Sequence, residues 1–177
     1  MPSTIGRPTV GDMSDVEQAV IEYLAASGLA HELIQCDPEL ADTAAFCAHY
    51  GYPLEQSANT IVVASRKPEG RHAVCVVLAT TRLDVNKKVR GLLEVRKLSF
   101  APPELTMELT GMLIGGVTPL ALPEGLPIWV DSRVMDKEWV ILGGGSRSLK
   151  VKVDPRVFEV ISGAEVIEDL ALVPEPS

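Results

Sequence analysis

A compact single-domain α/β fold, a mixed β-sheet with surrounding helices, is what this sequence predicts, and three observations predict it. The runs TIVVAS (residues 60–65) and HAVCVVLA (72–79) are β-branched and continuously apolar, as strands buried on both faces are. Helical and strand-like segments are interspersed without a regular βαβ cadence or an internal repeat, which favours a mixed sheet over a doubly wound one. A chain of 177 residues, 46% hydrophobic and 23% charged, matches one domain with one core. With aromatics at 5%, that core is aliphatic.

The first dozen residues hold turn formers without periodicity and read as a loose arm, residues 1–13. A first helix begins at Ser14, which has the S-x-x-E spacing of a capping box with Glu17; Val16, Ala19, Val20, Tyr23 and Leu24 come next at helical spacing, and Gly28 stops it. HELIQC (31–36) alternates like a half-buried strand, and DTAAFCAHYG (42–51) is a short helix capped by Asp42 and stopped by Gly51. RKPEGR (66–71) is the turn between the two central strands. Asp84 caps a helix through Val85, Val89, Leu92 and Leu93, and PPELTMELTG (102–111) gives another with Leu105 and Leu109 one turn apart. LPIWVD (126–131) and EWVILGG (138–144) are later strands. LKVKVD (149–154) alternates as a strand with one wet face; Asp154 as cap, Pro155 as first helical residue and Gly163 as stop then frame a helix with Val157, Val160 and Ile161 inward. AEVIEDLA closes a domain of residues 14–171, and 172–177 form a tail.

No apolar run approaches the roughly 18 residues of a membrane span, and the amino-terminal stretch lacks the basic and apolar segments of a signal peptide, so a cytoplasmic protein without membrane contact is expected. Cys36, Cys47 and Cys75 are odd in number and lack CxxC spacing, which fits reduced thiols rather than a disulfide framework or a zinc site. No His, Asp or Glu cluster has metal-ligand spacing, so no metal and no cofactor are expected. Sixteen Lys and Arg against 24 Asp and Glu give a net charge of -8, which argues against sequence-independent binding to DNA or other long nucleic acid. The most basic stretch is 81–99, with Arg82, Lys87, Lys88, Arg90, Arg96 and Lys97.

Two glycine-rich segments stand out. GGGSRS (143–148) fits neither the phosphate loop nor the dinucleotide pattern, because both require a helix next and LKVKV is strand-like. It reads as a hairpin turn between EWVIL and LKVKV, or as a loop lining a pocket with Ser146 as hydrogen-bond donor. LTGMLIGGVTPLALP (109–123) places Gly-Gly and Thr-Pro within five residues of an otherwise aliphatic stretch. Such a segment either simply joins a helix to a strand or offers exposed backbone N–H groups to an oxygen that gains negative charge in acyl transfer, with Thr118 adding a hydroxyl. Cys47 and His49 lie two residues apart on a helix, so their side chains diverge and do not make a nucleophile and base. Cys75, inside AVCVVLA, is core packing.

Taken in order, QSANTIVVAS, LDVNKKVRGLLEVRKLSFAPPELTMELTGMLIGGVTPLALP, LPIWVDSRV, VILGGGSRS and VISGAEVIEDLA resemble the YbaK / prolyl-tRNA synthetase-associated domain family of aminoacyl-tRNA deacylases, over residues 14 to 171. The most specific part is a helix ending in Thr-Gly, then GGxTP, then an apolar strand with Asp131. The resemblance implies a compact α/β domain on a mixed sheet that hydrolyses the ester joining a wrong amino acid to the 3′ end of a tRNA, without metal or nucleotide. It implies a carbonyl cradle at Gly115, Gly116, Val117, Thr118 and Pro119, and the acceptor end of an aminoacyl-tRNA as partner.

Active members typically carry a lysine where this sequence has Asn59, before Thr60; an ammonium offers positive charge to an oxyanion, an amide only a dipole. Asn59 either donates to the carbonyl or orients water, or it satisfies local backbone groups at a strand start. A second departure is Ala121, where many relatives have another glycine. Lys97 and Lys87 are candidates for the tRNA phosphates or are ordinary solvated charges, and Asp131 orders the loop or is a routine turn residue. Three functions therefore compete: a free-standing trans-editing hydrolase for a small mischarged amino acid, a module that kept the pocket but lost turnover, binding aminoacyl-tRNA ends, amino acids or a protein, and a hydrolase acting on another small ester or amide. Whether the chain forms a homo-oligomer is left open.

Overall fold

The computed structural model describes residues 11–174. It opens with α1 (Gly11–Ser27), which starts before the predicted Ser14; the Ser14 capping contact lies outside the described side chains. Then come β1 (His31–Gln35), α2 (Thr43–Tyr50), β2 (Ala58–Lys67), β3 (Glu69–Leu78), β4 (Arg82–Leu83) and α3 (Arg90–Leu93). β5 (Lys97–Phe100), α4 (Pro103–Thr110), β6 (Ile128–Asp131), α5 (Ser132–Met135) and β7 (Val140–Gly143) are next in the chain. β8 (Leu149–Val153), α6 (Val157–Val160), β9 (Ala164–Ile167) and β10 (Ala171–Leu172) complete it.

The two apolar runs form the central hairpin β2–β3 of a five-stranded sheet ordered β5-β2-β3-β6-β9. β2 runs antiparallel to β3 and β5, whereas β6 lies parallel to β3 and β9, so the sheet is mixed. Strand alternation sends Val62, Ala64, Val74 and Val76 to one face and Val63, Ala73, Cys75 and Val77 to the other, and both faces are covered. Burial pushes the Cys75 thiol up to about 12, consistent with inert packing.

EWVIL and LKVKV pair as the antiparallel hairpin β7–β8, in register from Val140–Val153 to Gly143–Lys150. With β1 on the far side of β8 they make a three-stranded sheet. Val140, Leu142, Val151 and Val153 face the five-stranded sheet and α1 residues Val20 and Leu24 across the main core. The opposite face is covered as well, by Phe46 and Cys47 of α2 against Ile141 and Cys36.

Several local expectations change. The helix expected from Asp84 is a π turn over Val85–Val89 continuing into α3, with Asp84 accepting from the Lys87 amide at 3.2 Å. The helix expected over 154–163 is a single turn, because Ile161 is already extended; Val160 is therefore 56% exposed rather than inward. β5, the four residues K-L-S-F, is too short for its alternation to announce it and exists as a partner of β2. Among the described residues no helix is long and apolar enough to cross a membrane.

Candidate functional site

The glycines of the two loops answer each other. A Cβ on Gly116 would overlap the Ser146 backbone, and one on Gly143 would overlap the Val117 carbonyl oxygen. Gly145 N–H donates to the Gly116 carbonyl at 2.8 Å, so the loops meet backbone to backbone, a distance only glycine permits. Gly115 has φ of 97° and lies under the Arg147 guanidinium. GGGSRS is thus both the β7–β8 turn and the wall against which residues 114–117 are held.

That contact fixes the peptide planes of the loop. The Ile114 carbonyl accepts from Arg147 Nη1 at 2.8 Å, the Gly115 carbonyl from Lys150 Nζ at 3.0 Å and the Gly116 carbonyl from Gly145 N. The Gly116 amide donates to Leu113 O at 2.9 Å, the Thr118 amide to Met112 Sδ at 3.3 Å, and Pro119 has no N–H. Among the described residues the amides of Gly115 and Val117 have no acceptor. A trans peptide points its N–H opposite its C=O, so Arg147 and Gly145 aim these two free donors by holding the carbonyls of the same planes.

Gly115 and Val117 line a cavity of about 410 Å³, together with Phe46, Asn59, Thr60 and Lys150. β5 pairs with β2 only from Val63 onward, which leaves the start of β2 open beside the cavity. There Asn59 Oδ1 accepts from Thr43 Oγ1 at 2.6 Å, and among the described residues Asn59 Nδ2 has no acceptor. The adjacent Thr60 hydroxyl is buried and has no partner among the described residues. Phe100 and Ile114, 59% and 49% exposed, add apolar surface where the cavity opens.

Lys150 is the residue that sequence reasoning missed. Alternation with Val151 assigns it to a wet face, yet it is 5% exposed because α2 covers that side of β8. Its ammonium donates to Ala41 O at 2.6 Å and Gly115 O at 3.0 Å and sits 5.7 Å from the Phe46 ring centroid. Burial holds its pKa below the usual lysine value; the thiols of Cys36 and Cys47 and the carboxylate of Asp42 oppose that shift, and Arg147 adds to it. The available signal was the continuous V-I-L of β7, which marks a sheet covered on both faces and hence a sheltered lysine next door.

Of the residues singled out from sequence, Asn59, Gly115 and Val117 meet at the cavity, and Gly116, Thr118 and Pro119 support it from behind. Thr118 is fully buried and its hydroxyl accepts from the Leu120 amide at 3.4 Å. Ala121 packs against the main core, away from the cavity. Ser146 does not line the cavity: its hydroxyl donates to the Glu17 carboxylate and accepts from the Ser148 amide at 3.0 Å. Asp131 is also elsewhere, capping α5 through the Arg133 amide at 2.9 Å and holding the Ala171 amide at 2.8 Å. Lys97 and Lys87 are exposed and outside the cavity. Cys47 Sγ meets the Ser57 hydroxyl at 3.2 Å, while His49 stacks edge-on against Tyr50. Among the described residues no group of three or more His, Cys, Asp or Glu could hold a metal.

Comparison with known proteins bears on the family and the fold. Residues 37–159 match the model of the aminoacyl-tRNA editing domain. Over 125 residues, 66% of this chain and 79% of the other, the sequence is 28% identical to the uncharacterized protein YwhH of Bacillus subtilis (strain 168). The crystal structure of hypothetical protein APE2540 superposes with a TM-score of 0.75 at 27% identity, covering 86% of this chain and 99% of that one. A structure assigned provisionally as a trans-editing enzyme for prolyl tRNA synthetase superposes with a TM-score of 0.73 at 22% identity, covering 90% and 98%.

Proposed function

The chain belongs to the aminoacyl-tRNA editing domain family, and from that premise we propose that it is a deacylase, hydrolysing the ester between a wrong amino acid and the 3′ end of a tRNA in the cavity lined by Asn59, Gly115 and Val117. The observation that carries this reading is the pair of amides at Gly115 and Val117, without acceptors among the described residues while the carbonyls of their own planes are tied back. Donors held in that way suit an ester oxygen that becomes an oxyanion, and no reorganisation is needed as charge develops. One such donor is commonly worth a hundredfold to a thousandfold in rate, roughly 3 to 4 kcal/mol.

The remaining features support the same substrate. A volume of about 410 Å³ falls in the range of small-molecule sites and suits an aminoacyl group. The exposed Phe100 beside it offers a face on which an unpaired terminal base can stack. A net charge of -8 restricts phosphate contacts to a few, which an acceptor end requires and a long duplex does not.

Incubation of the protein with a panel of mischarged tRNAs tests the reading. Release of the amino acid from at least one of them above the buffer rate is expected. No release from any member of the panel overturns it.

A further inference from the structure

We propose that Lys150 is the cation of this site, contacting through its remaining N–H the oxygen of the acyl group on which negative charge develops. The inference rests on the deacylase reading and adds to it a catalytic group. An ammonium has three N–H donors, and Lys150 directs only two to protein atoms, the carbonyls of Ala41 and Gly115. The third has no acceptor among the described residues, and the side chain lines the cavity.

Its surroundings are unusual for a structural lysine. A buried charge is costly unless it is paired. No carboxylate lies within ion-pair distance of Lys150 among the described residues; Asp42, whose charge acts on it from farther off, is directed to Arg147 at 3.6 Å. Tying two neutral carbonyls together does not require a full charge, since a neutral amide would serve. An ammonium so buried, without a carboxylate partner among the described residues and one hydrogen bond from Gly115, is placed to meet an anion that exists only when substrate reacts.

In the step this implies, the oxygen of water bonds to the ester carbonyl carbon and the C=O π pair moves onto oxygen, which Lys150 and the amides of Gly115 and Val117 stabilise. The pair then returns, the bond to the ribose oxygen breaks, and a proton from the attacking water ends on that oxygen. The free amino acid and the uncharged tRNA end are the products.

Two uncleavable probes separate this role from loop support: an adenosine ester of a 1-aminoalkylphosphonate, which carries a charged oxygen like the oxyanion, and the corresponding 3′-amide-linked aminoacyl-adenosine, which keeps a neutral carbonyl. Lys150→Met should weaken phosphonate binding by about a hundredfold and leave amide binding nearly unchanged, with Lys150→Arg recovering part of the loss. Equal weakening for both probes, or none for either, overturns the proposal. Should Lys150→Met not fold, the wild-type protein decides: phosphonate affinity must fall with rising pH below the usual lysine range while amide affinity holds. A wild type that cleaves no tRNA yet discriminates the probes refutes the deacylase reading alone; one that cleaves tRNA without discriminating refutes only the role of Lys150.

Discussion

Thr43 donates its hydroxyl hydrogen to Asn59 Oδ1 at 2.6 Å, and that contact decides which half of the asparagine amide is left for the cavity. With the oxygen engaged, Nδ2 is the end without an acceptor among the described residues, and on the deacylase reading Asn59 would serve as a donor. Asn59→Ala should lower kcat/KM for deacylation by about tenfold to a hundredfold, the loss of one neutral donor. Asn59→Asp should cost more, because it sets a negative charge beside a developing one, and Thr43→Val less, because the amide survives unoriented. Steady-state kinetics on the tRNA cleaved fastest would show this order; unchanged turnover in Asn59→Ala removes the residue from the chemistry.

Gly116→Ala and Gly143→Ala should each force the two loops apart, since the added methyl meets backbone that has no rotamer in which to escape. Overpacking of this kind costs about 1 to 3 kcal/mol. It also frees the Gly116 carbonyl from Gly145 N, so the Val117 amide loses its aim. A lowered melting temperature together with a lowered kcat is expected. Full activity in a destabilised variant would show that the loops need not touch for turnover.

How much of this was legible depends on what each residue answers to. The central hairpin was readable because TIVVAS and HAVCVVLA carry their burial in their own composition, and Gly115 and Val117 because a glycine loop is a local signal, whereas Asn59 was marked only by the family resemblance, which places a lysine at that position. Lys150 was not, because its burial comes from α2, an element about a hundred residues earlier in the chain that local alternation cannot see. Ser146 and Asp131 are polar residues in suggestive places, but their partners, Glu17 and Ala171, are fixed only by the tertiary fold. The short α6 likewise reflects a chain that must turn into β9, whatever Asp154, Pro155 and Gly163 would support in isolation.

Lys150 also sets a pH dependence. Burial lowers its folded pKa beneath the unfolded value, so within the window between the two the unfolded chain binds more protons than the folded one. The contribution of Lys150 to stability therefore rises as pH climbs through that window and is flat below it. Deacylation should move the other way and decline as the ammonium loses its proton. Urea unfolding and single-turnover rates across the alkaline range would show the opposed trends, and Lys150→Met should abolish both.

Phe100 should act on binding alone. Its ring lines the cavity, is 59% exposed and has no hydrogen-bonding group to offer a developing charge. Stacking of a base on an aromatic side chain is worth about 1 to 3 kcal/mol. Phe100→Ala should accordingly raise KM roughly fivefold to 150-fold and leave kcat in place. A fall in kcat at constant KM would contradict the assignment of this ring to the terminal base.

Asp131 should affect stability without touching turnover. Its carboxylate, 1% exposed, accepts from the Ala171 amide at 2.8 Å, the Arg133 amide at 2.9 Å and Arg133 Nη1 at 3.0 Å, so it ties the end of β6 to α5 and β10. Asp131→Ala leaves the Ala171 N–H buried and unpaired and strips Arg133 of its buried partner. Breaking a buried ion pair costs about 3 to 5 kcal/mol, and the partial exposure of Arg133 brings that to about 3. For a chain of this length the melting temperature should fall by roughly 6 to 12 °C. Because Asp131 lines no part of the cavity, kcat/KM well below the new transition should match wild type. An unchanged melting temperature with reduced kcat/KM would instead place Asp131 in the reaction and require the cavity to extend across the sheet.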